Sequence, residues 1–161
     1  MAIQIIDNFL PEKEFYYIQS ILMSNHFPWF YHDYVSESSE QDKFYFNHNF
    51  YNDSQPQSDF FNLWKNTLYK LEVKSLIRVK GNLHVKAEQM TYNNFHSDLP
   101  FNHKGCIMYI NNNNGCTYFK EGEKAVEPKE NRIVLFDPNI EHKSSRCSDS
   151  KIRITINFNY F

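Results

Sequence analysis

The final stretch of the chain, "KIRITINFNYF" at residues 151–161, decides the fold. Side chains of an extended strand point alternately to its two faces. The apolar face of this strand would carry Ile152, Ile154, Ile156 and Phe158. The other face would carry a polar row, namely Lys151, Arg153, Thr155, Asn157 and Asn159. An apolar face needs a core, and a row of Arg, Thr and Asn is typical of a polar pocket. The sequence therefore predicts a strand that lies between a core and a pocket.

The region after residue 75 contains further short runs of β-branched and aromatic residues, which favour strands. They are "SLIRVKGNLHVKA" (75–87), "GCIMYI" (105–110), "CTYF" (116–119) and "RIVLFD" (132–137). The intervening "NNNNG" (111–115) ends in the Asn-Gly pair of a tight turn, so its two flanking strands are predicted to form a hairpin. "IQII" near the start of the chain predicts a short opening strand.

Two helices are predicted in the N-terminal half, at residues 10–24 and 58–71. Pro11 suits the first turn of one helix, and Ser58 can cap the other. Their apolar residues at helical spacing are Phe15, Ile18 and Leu22 in the first and Phe61, Trp64, Leu68 and Leu71 in the second. Two helices followed by many strands predict one α+β, mainly β, domain over residues 1–161, with a β-sandwich or barrel packed on the helices.

Composition excludes several classes of protein. The 161 residues carry a net charge of −2 without a basic run, which gives no basis for nucleic-acid or membrane-surface binding. The 3 cysteines form no CxxC motif and fit a reducing compartment. No secretory leader and no apolar run of about 18 residues is found. We therefore expect a soluble cytoplasmic protein, and the sequence does not indicate its oligomeric state.

Three residues form a candidate metal site. His96 and Asp98 in "FHSD" are two positions apart, so they share one face of an extended chain. His142 follows the predicted strand at 132–137 and the turn "DPN". Two imidazoles and one carboxylate are the facial triad that binds non-haem Fe(II) and leaves three coordination positions open. The alternative stays open at this point, because a histidine in a loop is commonly a solvated surface residue.

Arg153 on the last strand is a candidate ligand-binding residue. A buried arginine needs an acidic partner, and its planar guanidinium binds a carboxylate through two parallel hydrogen bonds. No acidic residue near it in the sequence is an obvious partner, which indicates the carboxylate of a ligand. The alternative is a strand arginine that simply faces water.

Taken together, these residues resemble the Fe(II)- and 2-oxoglutarate-dependent dioxygenases. "FHSD", His142 and "RITINFNYF" match that family's H-x-D…H…R pattern in order. The opening "IQIIDNFLPEKEF" is similar to the prolyl-hydroxylase branch, and the chain resembles most the small members encoded by marine phages. The resemblance implies a double-stranded β-helix (jelly roll) with two N-terminal packing helices. It also implies that His96, Asp98 and His142 bind Fe(II) as the catalytic centre.

The same resemblance implies a set of cosubstrate contacts. Arg153 would bind the remote carboxylate of 2-oxoglutarate. Tyr109 in "GCIMYIN" corresponds to the tyrosine that reaches this carboxylate in prolyl hydroxylases. Asn82 and His84 in "GNLHV" correspond to an Asn and a Tyr of the nucleobase-repair members, with His84 departing from Tyr.

The resemblance implies hydroxylation of an unactivated C–H bond by O₂, with 2-oxoglutarate decarboxylated to succinate. Ascorbate is a further candidate cofactor, as an accessory reductant. The prolyl-hydroxylase branch favours a peptidyl or free amino acid, proline-like, as substrate; nucleobase repair is disfavoured because no basic stripe with interleaved aromatics is present. Residues 31–58 are the candidate rim or flap over the site. A phage origin would place the protein in the host cytoplasm. A cupin-like protein that binds metal or a small acid without turnover, or a purely structural domain, remains an alternative.

Overall fold

The structure is a computed structural model, and it describes residues 3–33 and 44–161. The elements in chain order are β1 (Gln4–Ile6), α1 (Glu12–Leu22), β2 (Phe30–His32), β3 (Tyr45–Asn52), β4 (Gln55–Pro56), a 3-10 turn (Asp59–Trp64), α2 (Lys65–Lys70), β5 (Leu76–Val85), β6 (Lys104–Tyr109), β7 (Thr117–Phe119), a second 3-10 turn (Glu121–Glu123), β8 (Lys124–Val126), β9 (Arg132–Phe136), β10 (His142–Ser144) and β11 (Ile152–Tyr160).

The strands form two antiparallel sheets that pack against each other. The larger sheet has the order β1-β9-β6-β11-β5-β3-β2, with β4 paired to β3, and the smaller has the order β10-β7-β8. Isolated bridges from Tyr92 to Ser145 and from His96 to His142 place the segment 92–96 beside β10. Side chains of both sheets, among them Ile107, Phe119 and Val134, share one buried cluster. This architecture confirms the predicted α+β, mainly β, jelly roll with two helices.

Strand β11 lies near the centre of the larger sheet, between β6 and β5, and its alternation is as predicted. Ile154, Ile156 and Phe158 belong to the main core, which also contains the buried residues of α1. Arg153 and Thr155 are buried on the opposite face, towards the smaller sheet. One strand therefore supplies both the main core and the wall of the site.

The first predicted helix is confirmed, and the second forms in a different way. Phe15, Ile18 and Leu22 are buried on α1 as expected. The second segment begins as a 3-10 turn. The Ser58 carbonyl accepts a hydrogen bond from the Phe61 backbone N–H, and the Ser58 hydroxyl accepts one from the Phe60 backbone N–H. It becomes α-helical only at α2. The fully buried Trp64 packs edge-on against Phe50 and Phe158, as the core role predicted for it requires.

The predicted hairpin across residues 111–115 is wrong. Strand β6 pairs with β11 and β9, whereas β7 pairs with β10 and β8, so the two strands belong to different sheets. The Asn111 side chain binds the backbone of β11, donating to the Ile152 carbonyl at 2.8 Å and accepting from the Ile154 N–H at 2.9 Å. The asparagine run therefore acts as a crossover between the sheets rather than as a tight turn.

The cysteines and the helices bear on two expectations drawn from composition. All three cysteines are buried and unpaired, as expected for a chain without disulfides. Over residues 3–33 and 44–161, no helix has the length and apolar character needed to cross a membrane.

Candidate metal centre and adjoining cavity

A cavity of about 270 Å³ lies between the two sheets. The three predicted metal ligands line it, together with alternate residues of two neighbouring strands. These residues are Arg78, Lys80, Asn82 and His84 of β5 and Arg153, Thr155 and Asn157 of β11. Alternation of side chains explains this wall, since residues i, i+2, i+4 and i+6 of a strand share one face.

The two histidines are brought together by backbone pairing. The His96 N–H donates to the His142 carbonyl at 3.0 Å, and the His142 N–H donates to the His96 carbonyl at 2.9 Å. Residues directly opposite in an antiparallel pair project to the same side. The two imidazole centroids are accordingly 4.6 Å apart. A pairing between residues 46 positions apart thus builds one side of the site.

Asp98 completes the cluster, because it lies on the same face as His96, as its spacing predicted. One ligand atom from each of His96, Asp98 and His142 lies within 4.8 Å of the others. The His142 Nε2 and an Asp98 carboxylate oxygen are 3.9 Å apart. Metal–nitrogen and metal–oxygen bonds are each about 2.1 Å long, so one ion can contact both atoms. The donor set and its spacing fit a divalent metal ion.

The orientation of the His142 ring is fixed from behind. Its Nδ1 lies 3.0 Å from the Ile140 carbonyl, which can only accept, so Nδ1 carries the proton and Nε2 presents its lone pair to the site. Burial lowers the pKa of His142, and this outweighs the opposing effect of Asp98. The imidazole is therefore neutral at neutral pH, which is the form that binds a metal.

Asp98 is held by residues whose role the sequence did not reveal. Burial alone would raise the pKa of its carboxyl, but His142, Arg78 and Asn159 outweigh burial and keep the pKa below its usual value. The Asn159 amide donates to Asp98 at 2.9 Å and also lies 3.0 Å from His103 Nε2. Arg78 lies 3.5 Å from the carboxylate. These neighbours keep Asp98 charged and fix its orientation, as the outer contacts of metal ligands commonly do.

Arg153 is almost completely buried, with 1% of its surface exposed. One terminal nitrogen donates to the Thr117 hydroxyl at 3.1 Å, whereas Nε and the other terminal nitrogen have no hydrogen-bond partner among the residues that the structure describes. A Cβ atom on Gly115 would lie 2.7 Å from the Arg153 Cδ, so glycine is needed there for the side chain to pass. Because a buried and unpaired guanidinium is costly, the two free donors indicate an absent acceptor.

The other three predicted cosubstrate residues are Asn82, His84 and Tyr109, and two of them line the cavity. Asn82 and His84 line the cavity, and the buried His84 Nδ1 has no hydrogen-bond partner in the described part of the chain. Tyr109 is fully buried behind the cavity wall, and its hydroxyl donates to Thr117 at 2.8 Å. Thr117 therefore joins Tyr109 to Arg153.

Sequence reasoning missed several residues of the site, namely Tyr45, Arg78, Lys80, His103, Thr117 and Asn159 as a contact of Asp98. Alternation along "SLIRVKGNLHVKA" could have found two of them, because Arg78 and Lys80 share the face of Asn82 and His84. Nothing local marks Tyr45, Thr117 or His103. Of the predicted rim, Tyr45 lines the cavity, while residues 34–43 lie outside the described residues.

His84 makes the stability of the fold sensitive to acid. Burial, with nearby Arg153, Arg146 and Lys80, lowers the pKa of His84 to about 3. The unfolded chain, with an ordinary pKa of about 6.5, therefore binds the proton first as the pH falls. His84 should cost the fold about 2 kcal/mol between pH 7 and pH 5, with further loss towards its folded pKa.

We expect the stability of a His84→Phe variant, which keeps the ring stacked on Tyr45, to fall less between these pH values. Urea unfolding at pH 7 and pH 5 measures the difference, with His26→Phe, an exposed position, as the control. An equal loss in the wild type and in His84→Phe would contradict the assignment of this acid sensitivity to His84.

With the fold and site described, the chain can be compared with known proteins. Neither models of protein families nor curated proteins give a match. Solved structures do, and they include 2OG-Fe(II) oxygenases and prolyl hydroxylases. A Pseudomonas putida prolyl-4-hydroxylase aligns with 99% of this chain and 91% of its own, at a TM-score of 0.72 and 10% identity.

Two further structures show the same likeness. The viral collagen prolyl hydroxylase of Paramecium Bursaria Chlorella virus-1, in its 2OG complex, aligns with 99% of this chain and 95% of its own, at a TM-score of 0.65 and 14% identity. A Trichoplax adhaerens prolyl hydroxylase, in complex with a hypoxia inducible factor peptide fragment, covers 99% and 83%, at a TM-score of 0.70 and 13% identity. At such identities the likeness shows that the fold is shared.

Proposed function

We propose that the chain is an Fe(II)- and 2-oxoglutarate-dependent dioxygenase that hydroxylates a peptidyl or free amino acid. The observation that carries the proposal is that one cavity contains both a His-Asp-His cluster and a buried arginine, two donors of which find no acceptor within residues 3–33 and 44–161. The cluster accounts for the metal, and the arginine accounts for a dicarboxylate that would reach from the metal into the cavity.

In this proposal His96, Asp98 and His142 hold the iron through two nitrogens and one oxygen, which leaves the remaining positions for cosubstrate and oxygen. Iron together with 2-oxoglutarate supplies the oxidising chemistry that the side chains of the protein cannot perform. The protein contributes geometry and exclusion of water. The aromatic rings of Phe119 and Phe136 pack around His142, with centroids 5.8 and 5.0 Å away.

Arg153 would bind the remote carboxylate of 2-oxoglutarate through its two free donors. Thr117 orients the guanidinium, and Tyr109 would act on this carboxylate through Thr117, to which its hydroxyl donates. Asn82 and His84 would offer polar contacts from β5, the latter through its unpartnered Nδ1. The binding site for the remote carboxylate would thus combine one full positive charge with neutral hydrogen-bonding groups.

The amino-acid substrate is proposed from the solved structures with this fold, which include prolyl hydroxylases, one of them in complex with a peptide. Arg78 lines the cavity and lies 3.5 Å from the Asp98 carboxylate, so a substrate bound near the metal would lie close to Arg78.

Anaerobic titration with Fe(II), with and without 2-oxoglutarate, tests the proposal. We expect a weak visible charge-transfer band only when both are present, and succinate on admission of oxygen with ascorbate as reductant. Binding of metal and 2-oxoglutarate without succinate would favour the cupin-like alternative. Failure to bind either would contradict the proposal altogether.

A further inference from the structure

Lys80 is a second cation of the cavity, and the proposed chemistry gives it no role. It lies on β5 between Arg78 and Asn82 and lines the cavity. Its Nζ donates to the Tyr45 hydroxyl at 2.8 Å and lies 5.3 Å from the centre of the Tyr45 ring. Within residues 3–33 and 44–161, no carboxylate forms an ion pair with it. An ammonium group has three donors, so two of them are available to a ligand.

Tyr45 strengthens this site. Its oxygen accepts from Lys80 and from the Asn47 amide, the latter at 3.3 Å. A phenol oxygen has two acceptor positions, and both are then used. The phenolic O–H can consequently act only as a donor to a further group. Lys80 and Tyr45 together offer an ammonium and a hydroxyl donor on the same side of the cavity, which is suited to an oxyanion.

The net charge of the cavity also favours an anionic ligand. Among its described lining residues the cations are Arg78, Lys80 and Arg153, whereas the one carboxylate is Asp98. The three positive charges and one negative charge leave an excess of two. A divalent metal and the dianion 2-oxoglutarate cancel each other, so the excess persists after both are bound. Arg78 is paired with Asp98, whereas Lys80 has no counter-charge among residues 3–33 and 44–161.

Lys80 and Arg153 also lie apart along the sheet. In the pairing of β5 with β11, Lys80 lies opposite Asn157 and His84 lies opposite Arg153. Four residues of a strand span about 13 Å. The backbone positions of Lys80 and Arg153 are therefore well separated, and the two side chains can bind two different anionic groups.

We propose that Lys80 and Tyr45 form a second anion subsite, and that the primary substrate carries a carboxylate or similar small oxyanion that binds there. This inference rests on the proposed function in so far as Arg153 is reserved for 2-oxoglutarate. It narrows the substrate to free amino acids, whose α-carboxylate would bind there, or to peptides and small molecules that present an oxyanion near the carbon to be hydroxylated.

Calorimetric titration with sulfate tests the subsite, with chloride at equal ionic strength as the reference. The protein is loaded with Mn(II), which does not support turnover, and saturated with 2-oxoglutarate. We expect the wild type to bind sulfate, Lys80→Met to bind it at least tenfold more weakly, and Tyr45→Phe to be weakened several-fold. Lys80→Arg should retain binding. Lys151→Met, which removes an exposed lysine outside the cavity, should match the wild type.

The same preparations show which anion the subsite serves. If the subsite belongs to the primary substrate, the affinity for 2-oxoglutarate changes by less than threefold in Lys80→Met. A tenfold loss of 2-oxoglutarate affinity in that variant, or competition between sulfate and 2-oxoglutarate, would assign Lys80 to the cosubstrate and overturn the inference. Equal sulfate affinity in all variants, or none in the wild type, would overturn it as well.

Failure of the proposed function is recognised separately. If the wild type binds neither Mn(II) nor 2-oxoglutarate, the proposed function fails, and sulfate titration of the unloaded protein still compares Lys80→Met with the wild type. If Lys80→Met does not fold, as judged by circular dichroism, Tyr45→Phe and Lys80→Arg decide. Weakened binding in the former and retained binding in the latter support the subsite, and any other combination contradicts it.

Discussion

His96→Ala, His142→Ala and Asp98→Asn should each lower the affinity for Fe(II) by more than about a hundredfold and abolish succinate formation. Each substitution removes one of the three ligand atoms that lie within 4.8 Å of one another. Asparagine is chosen at position 98 because it keeps the size of the side chain beside Arg78 and Asn159. Anaerobic Fe(II) titration and succinate assays measure the two effects.

The matched control for these variants is His26→Ala, since His26 is an exposed histidine outside the site. It should bind Fe(II) as the wild type does. Circular dichroism shows whether each variant keeps its fold, which matters most for His142, because that ring is buried against Phe119 and Phe136. Near-normal succinate production by a folded His96 or His142 variant would remove that residue from the metal centre.

Arg153→Met should weaken 2-oxoglutarate binding by about thirtyfold to a thousandfold while leaving the affinity for metal nearly unchanged. Loss of a charge-assisted contact in a buried site costs about 2–4 kcal/mol. Arg153→Lys should recover only part of this, because an ammonium cannot reproduce the two parallel bonds of a guanidinium. Calorimetric titration of the Mn(II)-loaded protein with 2-oxoglutarate gives the three affinities.

The same substitution should have the opposite effect on the ligand-free protein. Two nitrogens of the buried Arg153 have no partner in the part of the chain that the structure describes, so the fold bears the cost of an incompletely paired charge. Methionine fills a similar volume without that charge, and we expect Arg153→Met to unfold at the same or a higher temperature than the wild type. Only the wild type should then gain thermal stability from 2-oxoglutarate.

Arg146→Met is the control for Arg153. Arg146 donates to the carbonyls of Val85 and Lys86, so its loss should lower stability without changing 2-oxoglutarate affinity. Unchanged 2-oxoglutarate affinity in Arg153→Met would mean that another cation of the cavity binds the remote carboxylate. Loss of metal together with 2-oxoglutarate would mean that β11 itself is disturbed.

Much of this protein could be predicted from local sequence because its strands alternate strictly. The period of two in "KIRITINFNYF" was enough to separate the core face of β11 from its pocket face, and the helical spacing of Phe15, Ile18 and Leu22 was enough to find α1. The clustering of His96, Asp98 and His142 could be predicted because the first two lie on one extended segment and His142 follows a strand. These features depend only on neighbouring residues.

Other features depend on which strands become neighbours, and local sequence does not determine that. The asparagine run suggested a hairpin, yet Asn111 binds the backbone of β11, which is remote in sequence, and carries the chain to the other sheet. The contacts of His103 with Asn159, of Arg78 with Asp98 and of Tyr45 with Lys80 likewise join distant segments. No periodicity in the sequence encodes such pairs.

The sequence by itself therefore determined the strand-rich class, the two faces of β11 and the residue types of the metal site, since alternation and helical spacing follow from backbone geometry. Only the tertiary structure decided that His96 and His142 pair across two segments. It alone shows that, among the described residues, two donors of the buried Arg153 are unpaired and Lys80 lies in the same cavity without a counter-charge. The physical reason is that burial and the absence of a partner are properties of a folded environment, which forms only when both sheets close around the cavity.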